Sequence, residues 1–146
     1  MSTSSVDISA GLIAGIYSVL NGNVTISGIT YPVFTTVYQG KTNRSYVWIG
    51  NVIDTDDGTK EEFIYTGSIA IESVDESQVN NPTRATVQAI NNKVRSLLKT
   101  TRTETPTVTG RTVVVFRHGG STMFEEQASD GRTRYRIIDI YEFILE

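Results

Sequence analysis

The fold is decided by the stretch Arg132-Thr-Arg-Tyr-Arg-Ile-Ile-Asp-Ile-Tyr-Glu-Phe-Ile-Leu145. It is rich in β-branched and aromatic residues and contains neither glycine nor proline, so it predicts one long strand. Beyond residue 136, apolar side chains fall on both faces of that strand: Ile137, Tyr141, Phe143 and Leu145 on one, and Ile138, Ile140 and Ile144 on the other. A strand with one solvated face is normally apolar on the other face only. We therefore expect helices to cover one face, and a folded-back hairpin or a second subunit to cover the other.

Two amphipathic helices are predicted upstream of this strand. In the first, residues 7–20, apolar positions recur every three or four residues, and Asn21-Gly22 provides a stop signal. Gly11 and Gly15 in this helix allow another backbone to approach closely, and the simplest explanation is packing on the sheet. The second helix begins at Asn81-Pro82, a preferred cap and first-turn pair, and continues to Leu98.

The remaining segments alternate between strand and turn patterns. The predicted strands, in chain order, are 24–26, 33–38, 45–53, 61–74, 111–116, 121–127 and 132–145. The acidic segment Asp54–Thr59 predicts a hairpin turn, as do His118-Gly-Gly120 and residues 129–131. Residues 100–110 predict a polar linker loop. The order predicts an α+β fold, with a mainly antiparallel sheet and two helices packed on one face. We expect residues 1–146 to form a single domain in which residues 1–6 are flexible.

Composition excludes several classes of protein. The chain has 146 residues, a formal net charge of −3 and no cysteine, so disulfides and thiolate chemistry are excluded. No apolar run approaches the roughly 20 residues that a membrane-spanning helix needs, and the N-terminus lacks the features of a signal peptide. We expect no membrane partner. The negative charge also argues against a broad nucleic-acid-binding surface.

The densest acidic cluster, Asp54–Glu62, does not match a known calcium loop. Counted from Asp54, glycine stands at the fifth position instead of the sixth, and Tyr65 occupies the twelfth, where a glutamate is needed. A solvated hairpin tip is the simplest interpretation, and a small-ligand or metal-binding module remains an alternative. We expect no metal site.

Catalytic motifs are also missing. His118 is the single histidine, and although Ser121 is near it in sequence, no Gly-x-Ser-x-Gly elbow or phosphate-binding loop is present. We therefore expect no catalytic residue and no cofactor.

A row of alternating arginines, Arg132, Arg134 and Arg136, should project from one face of the last strand. These side chains could form salt bridges within the chain or remain solvated, pair with carboxylates of a neighbouring subunit, or contact phosphates. Aromatic residues of the kind enriched at protein interfaces lie on other predicted strands and on this one. They are Tyr46, Trp48, Tyr65 and Tyr141, for which a role in the core is equally compatible.

The pattern of elements extends over most of the chain. It consists of Ile16-Tyr-Ser-Val-Leu20, Tyr31-Pro-Val-Phe34, Ser45-Tyr-Val-Trp-Ile-Gly50, the acidic turn, the strand Glu61–Glu72, the helix Ala85–Leu98 and the strand Arg134–Phe143. In order and pattern these elements resemble the tail terminator, or tail-completion, proteins of long-tailed bacteriophages. The long polar linker and the glycine turn at residues 118–120 depart from that resemblance.

The resemblance implies a structural role in the virion. Such proteins form rings, as hexamers, on the last ring of tail tube protein, stop tube polymerisation, and present a surface to head-completion or neck proteins. They act without catalysis or cofactor at the head-proximal end of the tail, after assembly in the host cytoplasm, and genomic DNA only passes through the lumen. By this resemblance Arg132, Arg134 and Arg136 would make charge contacts with a neighbour or the lumen, and Trp48, Tyr65 and Tyr141 would pack near the subunit interface. A head-closure or neck connector is the alternative.

Overall fold

The computed structural model describes residues 9–35, 45–56, 64–75, 84–98, 106–127 and 133–146. These ranges contain two helices, α1 (Ser9–Leu20) and α2 (Arg84–Leu97). The strands are β1 (Thr25–Ile26), β2 (Ile29–Thr30), β3 (Val33–Phe34), β4 (Ser45–Asp56), β5 (Tyr65–Asp75), β6 (Val113–Gln127) and β7 (Thr133–Leu145).

Five strands form one sheet in the order β3-β4-β5-β7-β6. Only the short pairing of β3 with β4 is parallel, and the other three pairings are antiparallel. β1 and β2 form a separate two-residue hairpin, whose turn residues Ser27 and Gly28 have positive φ angles. The predicted α+β fold with a mainly antiparallel sheet is confirmed.

Both helices cover the same face of the sheet, which we call the helix face. α1 contributes Leu12, Ile16 and Leu20 to the core, and α2 contributes Ile90 and Val94. The sheet side of this core is formed by buried residues of four strands: Val47, Ile49, Tyr65, Ile69, Ile71, Phe116, Tyr141, Phe143 and Leu145. The apolar stripe of each helix predicted from its spacing is the surface that packs on the sheet.

The last strand lies inside the sheet, because β7 pairs with β5 on one side and with β6 on the other. Its odd-numbered residues from Ile137 to Leu145 are buried under the helices. Its even-numbered residues lie on the opposite face, which we call the outer face. Residues of neighbouring strands that share the outer face by register are Trp48, Ala70, Glu72, Val74, Thr122, Phe124 and Glu126. The prediction that the strand is apolar on both faces agrees with this placement.

The turn predicted at His118-Gly-Gly120 is wrong, and with it the count of three strands after the second helix. β6 is one strand of 15 residues that runs through this sequence. Its pairing with β7 shifts register between His118 and Gly120, so Gly119 is an extra residue in a β-bulge. A Cβ at Gly119 would lie 3.0 Å from Cγ of Glu142, and the glycine leaves room for that side chain.

Other predicted boundaries shift by a few residues. The pattern at 24–38 contains the β1–β2 hairpin before β3, and β4 continues to Asp56, into the segment predicted as a turn. The cap residues Asn81 and Pro82 lie outside the described residues, as do residues 1–6, residues 36–38 and the centre of the acidic turn.

The C-terminal part of the predicted linker is a buried structural segment. Pro106 and Val108 are buried, and Val108 belongs to the hydrophobic core. This segment crosses α1 at its glycines: a Cβ at Gly15 would lie 2.1 Å from the carbonyl oxygen of Thr107, and one at Gly11 would touch Val108 at 3.4 Å. The expectation that these glycines pack on the sheet is therefore wrong, because the backbone that approaches them is residues 107–108.

Candidate assembly surface

Two of the three predicted arginines lie on the outer face and make ion pairs within the chain. Arg136 donates from Nε to Oε1 of Glu72 at 2.9 Å and from an Nη atom to Oε1 of Glu126 at 2.7 Å. Arg134 lies 3.7 Å from the other oxygen of Glu126. The guanidinium of Arg136 also stands over the ring of Phe124, 5.6 Å from its centroid. Arg132 lies outside the described residues.

Glu72 is the buried member of this network, with 6% of its surface exposed. Burial raises the pKa of the Glu72 carboxyl above its usual range, and the neighbouring Arg136 guanidinium offsets only part of that effect. A carboxylate on a sheet face is hydrated when that face is open. Here the side chains around Glu72 exclude solvent, so this end of the outer face is closed.

The other part of the outer face exposes apolar side chains. Ile53 is 69% exposed and Ile140 is 37% exposed, and the small residues Ala70 and Gly120 lie level with Ile140 on the adjacent strands. Phe124 is 41% exposed at the far side. In the part of the chain that the structure describes, no helix packs on this face. Large exposed apolar patches are typical of interaction surfaces, and these three side chains are the exposed apolar residues that the outer face could contribute to one.

The predicted aromatic residues are divided between the two faces of the sheet. Trp48 is half-buried on the outer face, opposite Glu72. Tyr65 and Tyr141 are almost completely buried on the helix face, where Arg111 lies over the Tyr65 ring and Tyr141 stacks on Phe116. Direct contact of Tyr65 or Tyr141 with another subunit would require this core to open, so Trp48 is the predicted aromatic residue best placed for such contact.

β6 is an edge strand of the five-stranded sheet, and in the described residues it is the longer of the two edge strands. Such edges are usually protected by proline, by charged side chains or by a bulge. β6 contains no proline, and its charged side chains are used within the chain: Arg117 pairs with Glu142 at 2.9 Å, Glu125 with Arg84 at 2.6 Å, and Glu126 with Arg136. Only the bulge at Gly119 interrupts the edge's regularity between residues 116 and 127.

A buried polar cluster that sequence reasoning missed lies between α2 and the β6–β7 pair. Its centre is Asp139, which is fully buried and accepts hydrogen bonds from Asn91 Nδ2 at 2.5 Å and from Arg95 at 3.0 and 3.3 Å. His118 Nε2 lies 3.0 Å from the same carboxylate. The available signal was a lone acid in an isoleucine-rich strand, because a charge among buried positions needs a partner.

Hydrogen bonding determines the ionisation of Asp139. Burial alone would raise the pKa of its carboxyl, but hydrogen bonds from Arg95, His118, Ser121 and Asn91 together hold that pKa below its usual range. Burial also raises the pKa of the Tyr141 hydroxyl far above its usual value, and the nearby Asp139 charge adds to this effect.

The cluster brings His118, Ser121 and an acid together, but not in the order of a nucleophilic triad. In a triad the histidine lies between the serine and the acid, and takes the serine proton. Here both Ser121 and His118 hydrogen-bond to Asp139, so the acid is the centre and holds the serine away from that role. The arrangement joins α2 to two strands and supports a structural role.

The remaining candidate chemistry is limited. The described residues contain no group of three metal-ligating side chains. The acidic segment Asp54–Glu62 lies outside the side chains that the structure describes, so the alternative of a ligand or metal module there stays a prediction. Within the described ranges, no helix has the length and apolar character needed to cross a membrane.

Comparison with known proteins yields a match in structure only. No protein-family model matches the chain, and no curated protein matches it by sequence. Among solved structures, the chain is similar to a chain in the virion of a native gene transfer agent (GTA) particle. The TM-score is 0.72 at 15% sequence identity, and the alignment covers 97% of this chain and 100% of that chain. At this identity the likeness establishes a shared α+β fold over the whole length.

Proposed function

We propose that this chain is a structural protein of a phage-like virion, and specifically a tail terminator. The observation that carries the proposal is the whole-length likeness of its fold to a chain of a GTA virion. The resemblance of its element order and pattern to tail terminators supports the finer role. The chain then acts at the head-proximal end of the tail, with itself, the tail tube protein and head-completion or neck proteins as partners.

The mechanism follows from the geometry of a closed ring. Each subunit presents two different surfaces, and identical head-to-tail contacts return to the starting subunit after a full turn, here after six copies. One side of the ring complements the end of the tube. The other side does not bind another tube ring but binds the neck proteins, so tube growth stops. DNA passes through the lumen without being read.

The outer face and the β6 edge are the surfaces offered for these contacts. Trp48 and the arginines at positions 132, 134 and 136 are proposed to lie at or near the subunit interface. Because Arg134 and Arg136 already neutralise Glu126 and Glu72, their proposed contribution is to a rigid, charge-balanced surface. This structural role requires neither catalysis nor a cofactor.

A capping assay tests the proposal. Purified chain is added to polymerising tube protein from the same particle, and tube lengths are measured by electron microscopy. The proposal expects growth to stop at about one ring of chain per tube end. Unchanged tube growth, together with binding of the chain to the portal side of the head, would instead identify a neck connector.

A further inference from the structure

The bulge in β6 decides which of its side chains face the helices. His118 lies on the helix face, and regular alternation would place Ser121, three residues later, on the outer face. The extra residue Gly119 changes this phase, so Ser121 pairs with Asp139 and hydrogen-bonds to its carboxylate on the helix face. Met123 follows two residues later on the same face.

A polar cleft lies where these side chains meet α2. The helix packs over β5 and β7, so the helix face of β6 is left partly uncovered, and Ser121 and Met123 are exposed. The volume of the cleft is about 380 Å³. Its lining includes Gln88, Asn91, Asn92 and Arg95 of α2 and Ser121 and Met123 of β6. The carboxamides in this lining can both donate and accept hydrogen bonds.

The charges around the cleft are neutralised within the chain. Arg95 pairs with the buried Asp139 at 3.0 Å. Arg84, at the start of α2, pairs with Glu125 of β6 at 2.6 Å. Because an unpaired charge is costly to bury, a lining of carboxamides and paired charges favours uncharged polar groups over charged ones.

The cleft opens toward the edge of the sheet. β6 is the last strand in the order β3-β4-β5-β7-β6, so in the described residues its backbone pairs with a strand on one side only. A strand added on the other side would lie about 4.8 Å from β6 and direct every second side chain to the helix face. Edge and cleft together therefore suit one extended polypeptide, whose backbone pairs with β6 and whose alternate side chains border the cleft.

We propose that an extended segment of another virion protein adds to β6 as a further strand, with uncharged polar side chains directed toward α2. In this mode of recognition, main-chain hydrogen bonds give affinity and the sites for alternate side chains give specificity. The inference deepens the proposed function, on which it rests for the partner's identity as the tail tube protein or a neck protein. It also gives the Gly119 bulge a role, because the bulge turns Ser121 and Met123 toward this cleft.

Peptide binding to the folded chain tests the inference. Short overlapping peptides from the tail tube and neck proteins of the same particle, and from this chain itself, are titrated into isotope-labelled protein and followed by NMR. At least one tube or neck peptide with uncharged polar residues at alternate positions should shift resonances of both β6 and α2. Hydrogen exchange at β6 amides should slow on binding, because strand addition gives them main-chain partners.

A matched pair of double variants tests the cleft. Gln88→Glu combined with Asn92→Asp replaces two carboxamides of the lining by carboxylates, which accept hydrogen bonds but do not donate them. We expect binding to weaken at least about tenfold, because these charges must be desolvated. The control combines Ser96→Glu with Thr122→Glu, which adds the same charge at exposed positions outside this lining, and should bind like the unmodified chain. Circular dichroism establishes that both variants are folded.

Four results would overturn the inference: no binding by any tube or neck peptide, binding only by peptides of this chain, unchanged exchange of β6 amides in the complex, or equal weakening in both double variants. The two proposals fail separately. Tube capping without peptide binding leaves the terminator role intact and removes this site. Binding of a neck peptide without tube capping keeps the site and removes the terminator role.

Discussion

The pKa values of two buried carboxyl groups on the same sheet are shifted in opposite directions by their surroundings. Asp139 receives hydrogen bonds from four side chains, and its pKa lies below the usual range. The main stabilising partner of the Glu72 carboxylate is Arg136. Burial has a larger effect than this partner, so the pKa of the Glu72 carboxyl lies above its usual range. The number of donors decides which effect is larger. Asp139 is therefore a charged anchor for α2, and Glu72 is the buried acid of the outer-face network.

Removing Arg136 should destabilise the protein more than neutralising Glu72. Arg136→Met leaves a buried carboxylate without its main partner and should cost roughly 3 kcal/mol of unfolding free energy. Glu72→Gln keeps a hydrogen-bond acceptor for Arg136 and removes a buried charge, so its cost should be below about 1 kcal/mol. Chemical denaturation of both variants measures the difference. Equal costs would show that the network is open to solvent.

Asp139 should make the protein sensitive to acid. Because its pKa is lower in the folded than in the unfolded state, its contribution to stability is complete above about pH 3.9, the unfolded value. That contribution is lost as the pH falls through the folded pKa. Asp139→Asn should lower stability at neutral pH and remove this part of the acid dependence.

The matched control for this titration is Glu142→Gln, which changes an exposed acid on the same strand. We expect it to keep the acid dependence of the unmodified chain. Denaturant midpoints measured between pH 2 and pH 7 provide the comparison. An Asp139→Asn profile parallel to that of the unmodified chain would contradict the anchoring role.

The glycines of α1 should respond oppositely to alanine. Gly15→Ala places a Cβ against the Thr107 carbonyl, which the buried Pro106 and Val108 hold in place, and should cost roughly 2–3 kcal/mol. Gly11→Ala makes an ordinary contact and should stabilise the protein by up to about 1 kcal/mol through helix propensity. Thermal and denaturant unfolding measure both. An unchanged free energy of unfolding for Gly15→Ala would mean that residues 106–108 move away from the added Cβ at little cost.

At the scale of elements, periodicity predicted the features that depend on local pattern. The spacing of α2, the alternation in β5 and the two-faced apolar pattern of β7 predicted their positions and buried sides. The bulge in β6 could not be predicted, because adjacent glycines signal a turn unless the partner strand is known. The burial of Val108 and the Asn91–Asp139 contact depend on tertiary packing between segments distant in sequence.

The candidate assembly surface could be predicted only in part, because its contacts also depend on tertiary packing. The arginine row predicted which residues share a face, but their partners Glu72 and Glu126 come from two other strands. A groove between α1 and residues 33–35 could not be predicted either, because one of its walls is a two-residue strand without a sequence pattern of its own.

The edge position of β6 predicts a specific pattern of hydrogen exchange. In the isolated chain, β6 amides that point away from β7 should exchange quickly, while amides of the central strand β5 remain protected. On assembly the outward β6 amides should become protected, because the proposed subunit contact at this edge would cover them. The inward amides of the same strand are the internal control. Unchanged outward exchange in assembled particles would contradict an interface at this edge.

At the scale of the whole molecule, the described residues form a sheet that is covered by helices on one face and partly exposed on the other. In the proposed ring, a repeated head-to-tail contact would bring the equivalent surfaces of all subunits to the same side of the assembly. The polar cluster at Asp139 joins α2 to β6 and β7, and residues 107–108 cross α1 at Gly11 and Gly15.

The most direct measurement is the length of tails assembled without this chain. Particles are produced from a genome in which its gene is deleted, and tail tubes are measured by electron microscopy. A tail terminator predicts tubes that grow well beyond their normal length and carry no heads, with normal length restored when the chain is supplied. Tails of normal length that fail to join heads would contradict the terminator role and indicate a neck connector.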